Sequence, residues 1–426
     1  MPATRHAAPL TRRRARLVPR PPTTARRLPR AAAFALLASI AVALLAGSSA
    51  PTPLYAIYQA EWGFSPITVT VVFGVYAVAV LAALLVFGRL SDHVGRRPVL
   101  LVALALQVVV MAIFATAGGV PELLLARVLQ GLSTGAALGA IGAGLLDLDR
   151  AKGTVANAVA PLSGTATGAL VAAVLVQYLP APTHLVYVLL AGIFAVQWAG
   201  VALMAETAAP RPGARASLRP QFALPAATRR PLLVAIPVLV AMWSLAGFYA
   251  SLGPSLVRLI ADSDWIVLGG LALFVLAGSG ALAVLLLGDA DPQRMMGFGT
   301  FALVVGVGIT LVATLVTSAV VFFAGAVVAG GGFGAAFQGV LRTVVPTAAL
   351  HQRAGVLSVV FVVSYLALGL PAIAGGVLVV DGGGVLVTAR EYGAATMVLA
   401  ALALLGLVTG ARRERAPAVA GCSAPA

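Results

Sequence analysis

The sequence predicts an all-α membrane protein of twelve transmembrane helices, arranged as two six-helix bundles that repeat one another. Composition is the first ground. Of 426 residues, 61% are hydrophobic and 10% charged, and the mean hydropathy is +1.03. Soluble domains average about 45–50% apolar and about 25% charged, so no water-soluble core could hide this much apolar surface. The second ground is spacing. A hydrocarbon layer about 30 Å thick takes roughly 20 residues of helix. Runs of that order lie near 33–56, 67–88, 98–118, 121–146, 154–178, 184–205, 232–258, 265–287, 297–316, 318–344, 355–380 and 391–410. They are far longer than barrel strands and lack strand alternation, which leaves helices as the only way to pair their backbone in lipid.

The third ground is repetition. QGLSTGAALGA (Gln130–Ala140) aligns with AGGGFGAAFQG (Ala329–Gly339), so that Gly131 meets Gly330 and Gly135 meets Gly334. The same offset sets Asp92 on Asp291, and Pro53 in span 1 answers Pro254 in span 7. Together these matches indicate a parallel duplication, as in many transporters.

In chain order, residues 1–30 form a basic tail and 31–206 the first bundle. An Arg-rich head followed by AAAFALLASIAVALLAGSSA is also the pattern of a secretory signal peptide. Cleavage there would leave eleven spans and unpair the halves, and the apolar run continues past Pro53 to Tyr58. It therefore reads as the first span. Residues 207–231 are rich in Pro and Arg and read as a flexible linker. Residues 232–411 form the second bundle, and 412–426 a tail holding the single cysteine, Cys422. One cysteine allows neither an internal disulfide nor a cysteine metal site, and neither metal nor cofactor is expected.

Charge sets the orientation. With the N-terminus inside, 25 of the 28 basic residues fall on the inner side, and only Arg258 and Arg390 outside. Such asymmetry places both termini in the cytoplasm, and the plasma (inner) membrane is the expected location. The net charge of +15 is parcelled between apolar runs without stacking aromatics, so the expected partner is anionic lipid and not nucleic acid. A monomer is expected.

The loop after span 2 reads GRLSDHVGRRP (Gly88–Pro98). Gly88 allows close approach to a neighbour and Gly95 a tight turn. Asp92 is an acid among Arg89, Arg96 and Arg97. It can pair with Arg96 or sit at the positive end of another helix; the plainer reading is a solvated basic anchor. Loop, position and span count together resemble the major facilitator superfamily, whose signature loop runs Gly-x-Leu-Ala/Ser-Asp-Arg-x-Gly-Arg-Arg/Lys. The resemblance spans about residues 31–411. It implies a secondary transporter working by alternating access, with Asp92 bracing the start of span 11 near Gly355 when the protein faces outward.

Span 4 carries LLLARVLQGLSTG, with Arg127, Gln130, Gly131 and Gly135. This is similar to the second superfamily motif, Arg-x-x-Gln-Gly. An arginine within a span costs about 2.5–3.5 kcal/mol on insertion scales. Arg127 therefore reads as a substrate or proton-relay contact, or else snorkels to the nearby outer interface. Asp147 ends span 4, and the resemblance implies a bridge to Arg96; the alternative is an acid facing water. Span 5 departs from the drug/proton antiporter pattern: it has Gly164 and Gly168, but Pro161 is displaced.

The resemblance puts the cavity among spans 1, 4, 7 and 10, with Tyr55, Tyr58, Trp243, Tyr249 and Gln338 as candidate liners, and Gln107 and Tyr365 behind them. Any of these can instead face lipid or packed core. No Asp or Glu sits mid-span, which suits neutral or anionic cargo. A polytopic enzyme is disfavoured because all four histidines lie in tails, loops or span ends. No Gly-x-x-x-x-Gly-Lys-Ser/Thr loop occurs, which disfavours an ATP-driven pump. The expected function is proton-coupled export of a small molecule, with uptake of a sugar or organic acid as the alternative. The topology is checked by single cysteines at Ala214 and Asp381 in a chain lacking Cys422. An impermeant reagent outside the cell should label only the second, and labelling of the first would overturn the assignment.

Overall fold

A computed structural model describes residues 27–415; the basic residues before Arg27 and the tail cysteine Cys422 lie outside the described residues. The described chain is helical, and twelve helices are long and apolar enough to cross a membrane. Span 1 is α1 (Arg30–Ser49), followed after a break by α2 (Tyr55–Trp62). Spans 2 and 3 are α3 (Pro66–Phe87) and α5 (Arg96–Ala115), joined through the short α4 (Ser91–Val94). Spans 4 to 6 are α6 (Val120–Leu148), α7 (Arg150–Tyr178) and α8 (Pro182–Leu203). The linker holds one turn, α9 (Ala214–Ser217). Span 7 is α10 (Ala226–Ser251), continued by α11 (Gly253–Ala261). Spans 8 to 12 are α12 (Ile266–Leu286), α13 (Pro292–Val316), α14 (Ala319–Val344), α15 (Arg353–Asp381) and α16 (Val385–Arg415).

Proline explains the two interrupted spans. Pro51 and Pro53 cannot donate to the helix ladder, and the chain turns between Ala50 and Leu54 before re-entering a helix. Pro254 sits in the first turn of α11, where its missing N–H costs nothing. The sequence reading drew span 12 from 391; it starts at Val385, so Arg390 lies within α16 and not in an outer loop. Arg390 is accommodated because its Nη2 donates to the Thr314 carbonyl at 2.7 Å, at the end of α13.

Small residues set the packing inside each half. Gly131 and Gly135 bring α6 onto α3, and Gly330 and Gly334 bring α14 onto α12. Aligned glycines thus make equivalent helix contacts in the two halves. Two glycine-lined approaches join the halves. Gly74 of α3 lies beside Ile373 of α15, and Gly270 of α12 lies against Ala169 and Ala173 of α7. Gln177 adds a hydrogen bond, its side-chain oxygen accepting from the Ile266 N–H at 2.8 Å. These approaches lie toward the face remote from the basic loops. At the basic face the linker joins the halves: Arg211 N–H donates to the His93 carbonyl at 2.9 Å, and Gly355 packs on Ala223.

A Cβ at Gly135 would stand 2.6 Å from the Val80 carbonyl oxygen and 2.7 Å from the Ala83 Cβ. Overpacking of this kind costs typically about 1–3 kcal/mol. Gly135→Val should lower the thermal midpoint of the detergent-solubilised protein. Gly406→Val should leave it unchanged, because Gly406 has open space where the Cβ would go. Fluorescence-detected gel filtration after heating reads both.

Candidate functional site

Three arrangements bear on function. The first grows from the break in span 1. The Gly47 carbonyl would normally bond the N–H four residues on, but that residue is Pro51. The Ser48 carbonyl loses its partner as well, because the Thr52 N–H turns to Ser49. Both orphans are taken by α6. Gln130 Nε2 donates to the Gly47 carbonyl at 3.0 Å, and Arg127 Nη1 donates to the Ser48 carbonyl at 2.9 Å. Arg127 Nη1 also donates to Gln130 Oε1 at 2.7 Å, and its Nε to the Tyr55 hydroxyl at 2.9 Å. The guanidinium is fully buried, 5.3–5.7 Å from the ring centres of Tyr55, Tyr76 and Phe114. Among the described residues it forms no ion pair; hydrogen bonds and ring faces carry the charge. Its guanidinium lies in the interior of the first bundle, among α2, α3, α5 and α6.

The second arrangement is the loop at the basic face. Arg96 pairs with Asp92 one turn earlier, donates to Ser91 Oγ at 2.8 Å, and reaches Asp147 Oδ2 at 3.4 Å. Thr207 Oγ1 also donates to Asp147, at 3.3 Å. A residue that the sequence reading passed over organises the rest. Glu206 accepts the backbone N–H groups of Arg96 at 2.7 Å and Arg97 at 3.0 Å. This places an anion on the positive end of α5, whose first turn has no acid of its own. Arg97 answers at the other pole, donating to the Val201 and Ala202 carbonyls at the end of α8. Gly95 makes the turn at φ +100°, and any side chain there would meet the Glu206 carboxylate. Gly88 serves as a seat for Gly139 of α6, whose Cα leaves no space for a Cβ above the Gly88 backbone. Among the described residues the Asp92 carboxylate pairs with Arg96 and makes no hydrogen bond or ion pair to span 11, and the linker residue Ala223 lies against Gly355.

The third arrangement concerns the expected cavity liners, which do not converge on one surface. Trp243 is half-buried and packs edge-on to Phe333 and Phe337, each 5.4 Å away, with Tyr365 at 5.8 Å. Its indole nitrogen is buried and bonds nothing. Gln338, beside Phe337 in α14, is half-buried with no side-chain hydrogen bond. Tyr58 and Tyr249 are 1% exposed in this conformer, and each hydroxyl finds a partner inside its own bundle: Tyr187 at 3.2 Å and Thr310 at 3.3 Å. Tyr249 also borders a small cavity with Phe248, Thr310 and Tyr392. Tyr55 belongs with Arg127. Gln107 is buried between α5 and α6, donating to Thr134 at 3.0 Å.

Comparison with known proteins decides the family. The family model of the Major Facilitator Superfamily matches residues 35–371. The chain belongs to the major facilitator superfamily. Two solved structures of transporters share its fold. One is the nucleoside transporter NupG, in a mutant form, at TM-score 0.67 and 11% identity, covering 88% of this chain and 99% of that one. The other is the human organic anion transporter MFSD10 (TETRAN), at TM-score 0.62 and 17% identity, covering 89% of this chain and 100% of that one. Comparison with curated protein sequences gives no match. The transporter is thus a multi-pass secondary transporter of small molecules and not an enzyme.

In this transporter, one signal in the sequence could have pointed to Glu206. It is the sole acid between the end of span 6 and the start of span 7, among five arginines. Tyr76, Phe114 and Tyr187 had no such signal, since nothing distinguishes them from lipid-facing aromatics until the helices are packed. The burial of Arg127 yields a prediction. Arg127→Ala leaves the Ser48 carbonyl, Gln130 and the Tyr55 hydroxyl without their donor, at about 1–3 kcal/mol for each buried group. The variant should reach the membrane at reduced abundance and unfold earlier. Arg127→Lys keeps a donor and should recover part of the loss. Equal thermal midpoints for wild type and Arg127→Ala would remove the structural role.

Proposed function

We propose that this transporter exports a small neutral or anionic molecule, one that carries an apolar ring, in exchange for protons. Its basic face lies in the cytoplasm and it resides in the plasma membrane. The observation that carries the cargo reading is the aromatic group around Trp243. Phe333, Phe337 and Tyr365 surround a half-buried indole whose N–H has no acceptor, and Gln338, next to Phe337 along α14, makes no side-chain hydrogen bond among the described residues. Apolar walls with a few unfilled polar groups are the usual composition of a small-molecule site. No carboxylate belongs to this group, which argues against a multiply charged cation as cargo.

Two further features support a reading of alternating access. The halves approach through glycine-lined contacts toward the opposite face, while a loop network and a linker hold the basic face. A gradient supplies the energy because the sequence holds no phosphate-binding Gly-x-x-x-x-Gly-Lys-Ser/Thr loop. Export accords with an aromatic cargo that partitions into the inner leaflet and is met from the cytoplasm.

The decisive experiment is uptake of a compound panel into inverted membrane vesicles, energised by respiration, with and without a protonophore. Accumulation of a ring-bearing compound that collapses with the proton gradient is the expected result. Trp243→Ala should reduce that accumulation at least tenfold at matched abundance, a loss of about 1.4 kcal/mol in transport free energy. Accumulation only in right-side-out vesicles would replace export by uptake.

A further inference from the structure

At the opposite-face end of the interface, a pocket lies between the two interrupted spans. One wall is the turn of span 1 and α2, with Thr52, Tyr55 and Gln59; the other is the turn of span 7 and α11, with Ser255 and Arg258. Arg258 is one of only two basic residues on that side of the protein. Its Nε reaches the Pro254 carbonyl at 3.4 Å, and its two terminal nitrogens bond nothing among the described residues. The side chains of Thr52, Gln59 and Ser255 also make no hydrogen bond among the described residues. Four polar side chains from two bundles therefore border one pocket with hydrogen-bonding capacity unspent, and Gln59, Ser255 and Arg258 among them are only half-buried and open to a solute.

The charge of the site has one sign. No acid lines the pocket, and the nearby Glu61, Asp262 and Asp264 are exposed and form no ion pair with Arg258. Behind the first wall, Tyr55 holds the buried guanidinium of Arg127, a second positive charge without a carboxylate. The planar end of a free guanidinium matches a carboxylate with two parallel hydrogen bonds. One such fork beside neutral donors, the Gln59 amide and two hydroxyls, balances one negative charge.

We propose that this pocket binds a small carboxylate anion on the outer side of the membrane, with Arg258 as its principal contact and Gln59 as a second. The inference rests on the transporter reading and on the orientation given above, and it adds a subsite distinct from the aromatic group at Trp243. It arises from the pairing of two helix breaks: each break withdraws helix backbone from the interface and leaves room that the polar side chains border.

Calorimetric titration of the purified protein in non-ionic detergent tests it without any transport step. Lactate, pyruvate and benzoate serve as carboxylate probes, with inorganic phosphate and phosphatidylglycerol as competitors. At least one carboxylate should bind, Arg258→Gln should weaken it tenfold or more, and Arg258→Lys should weaken it less. Gln59→Ala should also weaken it, and Arg294→Gln, an exposed substitution at the basic face, should not. Absence of binding by all three carboxylates would overturn the proposal. So would unchanged affinity in Arg258→Gln, or tighter binding of phosphatidylglycerol at the same arginine, which would make the site a lipid contact. If Arg258→Gln fails to fold, Gln59→Ala decides alone. Carboxylate binding without vesicle transport would sink the export reading and leave this site standing. Vesicle transport without carboxylate binding would do the reverse.

Discussion

The backbone of a membrane helix has no water to turn to, so every carbonyl released by a break must be met by protein. Much of the first bundle follows from that constraint. Pro51 and Pro53 interrupt span 1 and strand the Gly47 and Ser48 carbonyls; Gln130 and Arg127 receive them. Gly131 and Gly135, in the same helix, bring α6 close against α3. The arginine in turn needs its charge dispersed, and three aromatic rings from α2, α3 and α5 close around it. Proline, arginine and tyrosine, which look unrelated along the chain, form one unit in space.

The second bundle repeats the shape without repeating the chemistry. Its break at Pro254 is single, and Ala326 occupies the position that Arg127 takes in the first half. Its fully buried polar contacts are neutral, Tyr249 with Thr310 and Tyr392 donating to the Ser244 carbonyl at 2.8 Å, while Arg258 and Arg390 are only half-buried. The first half therefore carries a fixed buried charge and the second carries aromatic surface around Trp243.

The fold was legible because its signals are local. Run length, basic loops and the aligned glycines of spans 4 and 10 are each visible within a few residues. The basic-face loop was legible as a motif, yet its partner Glu206 was not, since it lies 110 positions from Arg96 and only folding brings the two together. Tyr58 and Tyr249 show the limit in another way. An aromatic with a hydroxyl suits a wet cavity or a packed core equally, and the choice depends on whether a neighbouring helix offers a partner, as Tyr187 and Thr310 do. Arg258 looked like a residue of the outer surface; its place in a pocket depends on the second break, whose effect on neighbouring chains no linear pattern records.

The seam between the halves mixes small and large residues. Gly74, Gly270 and Gly376, with Ala169 and Ala173, let backbones come close. Phe73 and Leu368 fill the space beside them, with Ala77 and Ala372, and Trp243 and Tyr365 lie against that cluster. Hydrophobic covering of this kind contributes about 25 cal/mol for each Å² removed from water. The aromatic group around Trp243 is therefore part of the seam itself, so anything bound among those rings would touch both halves at once.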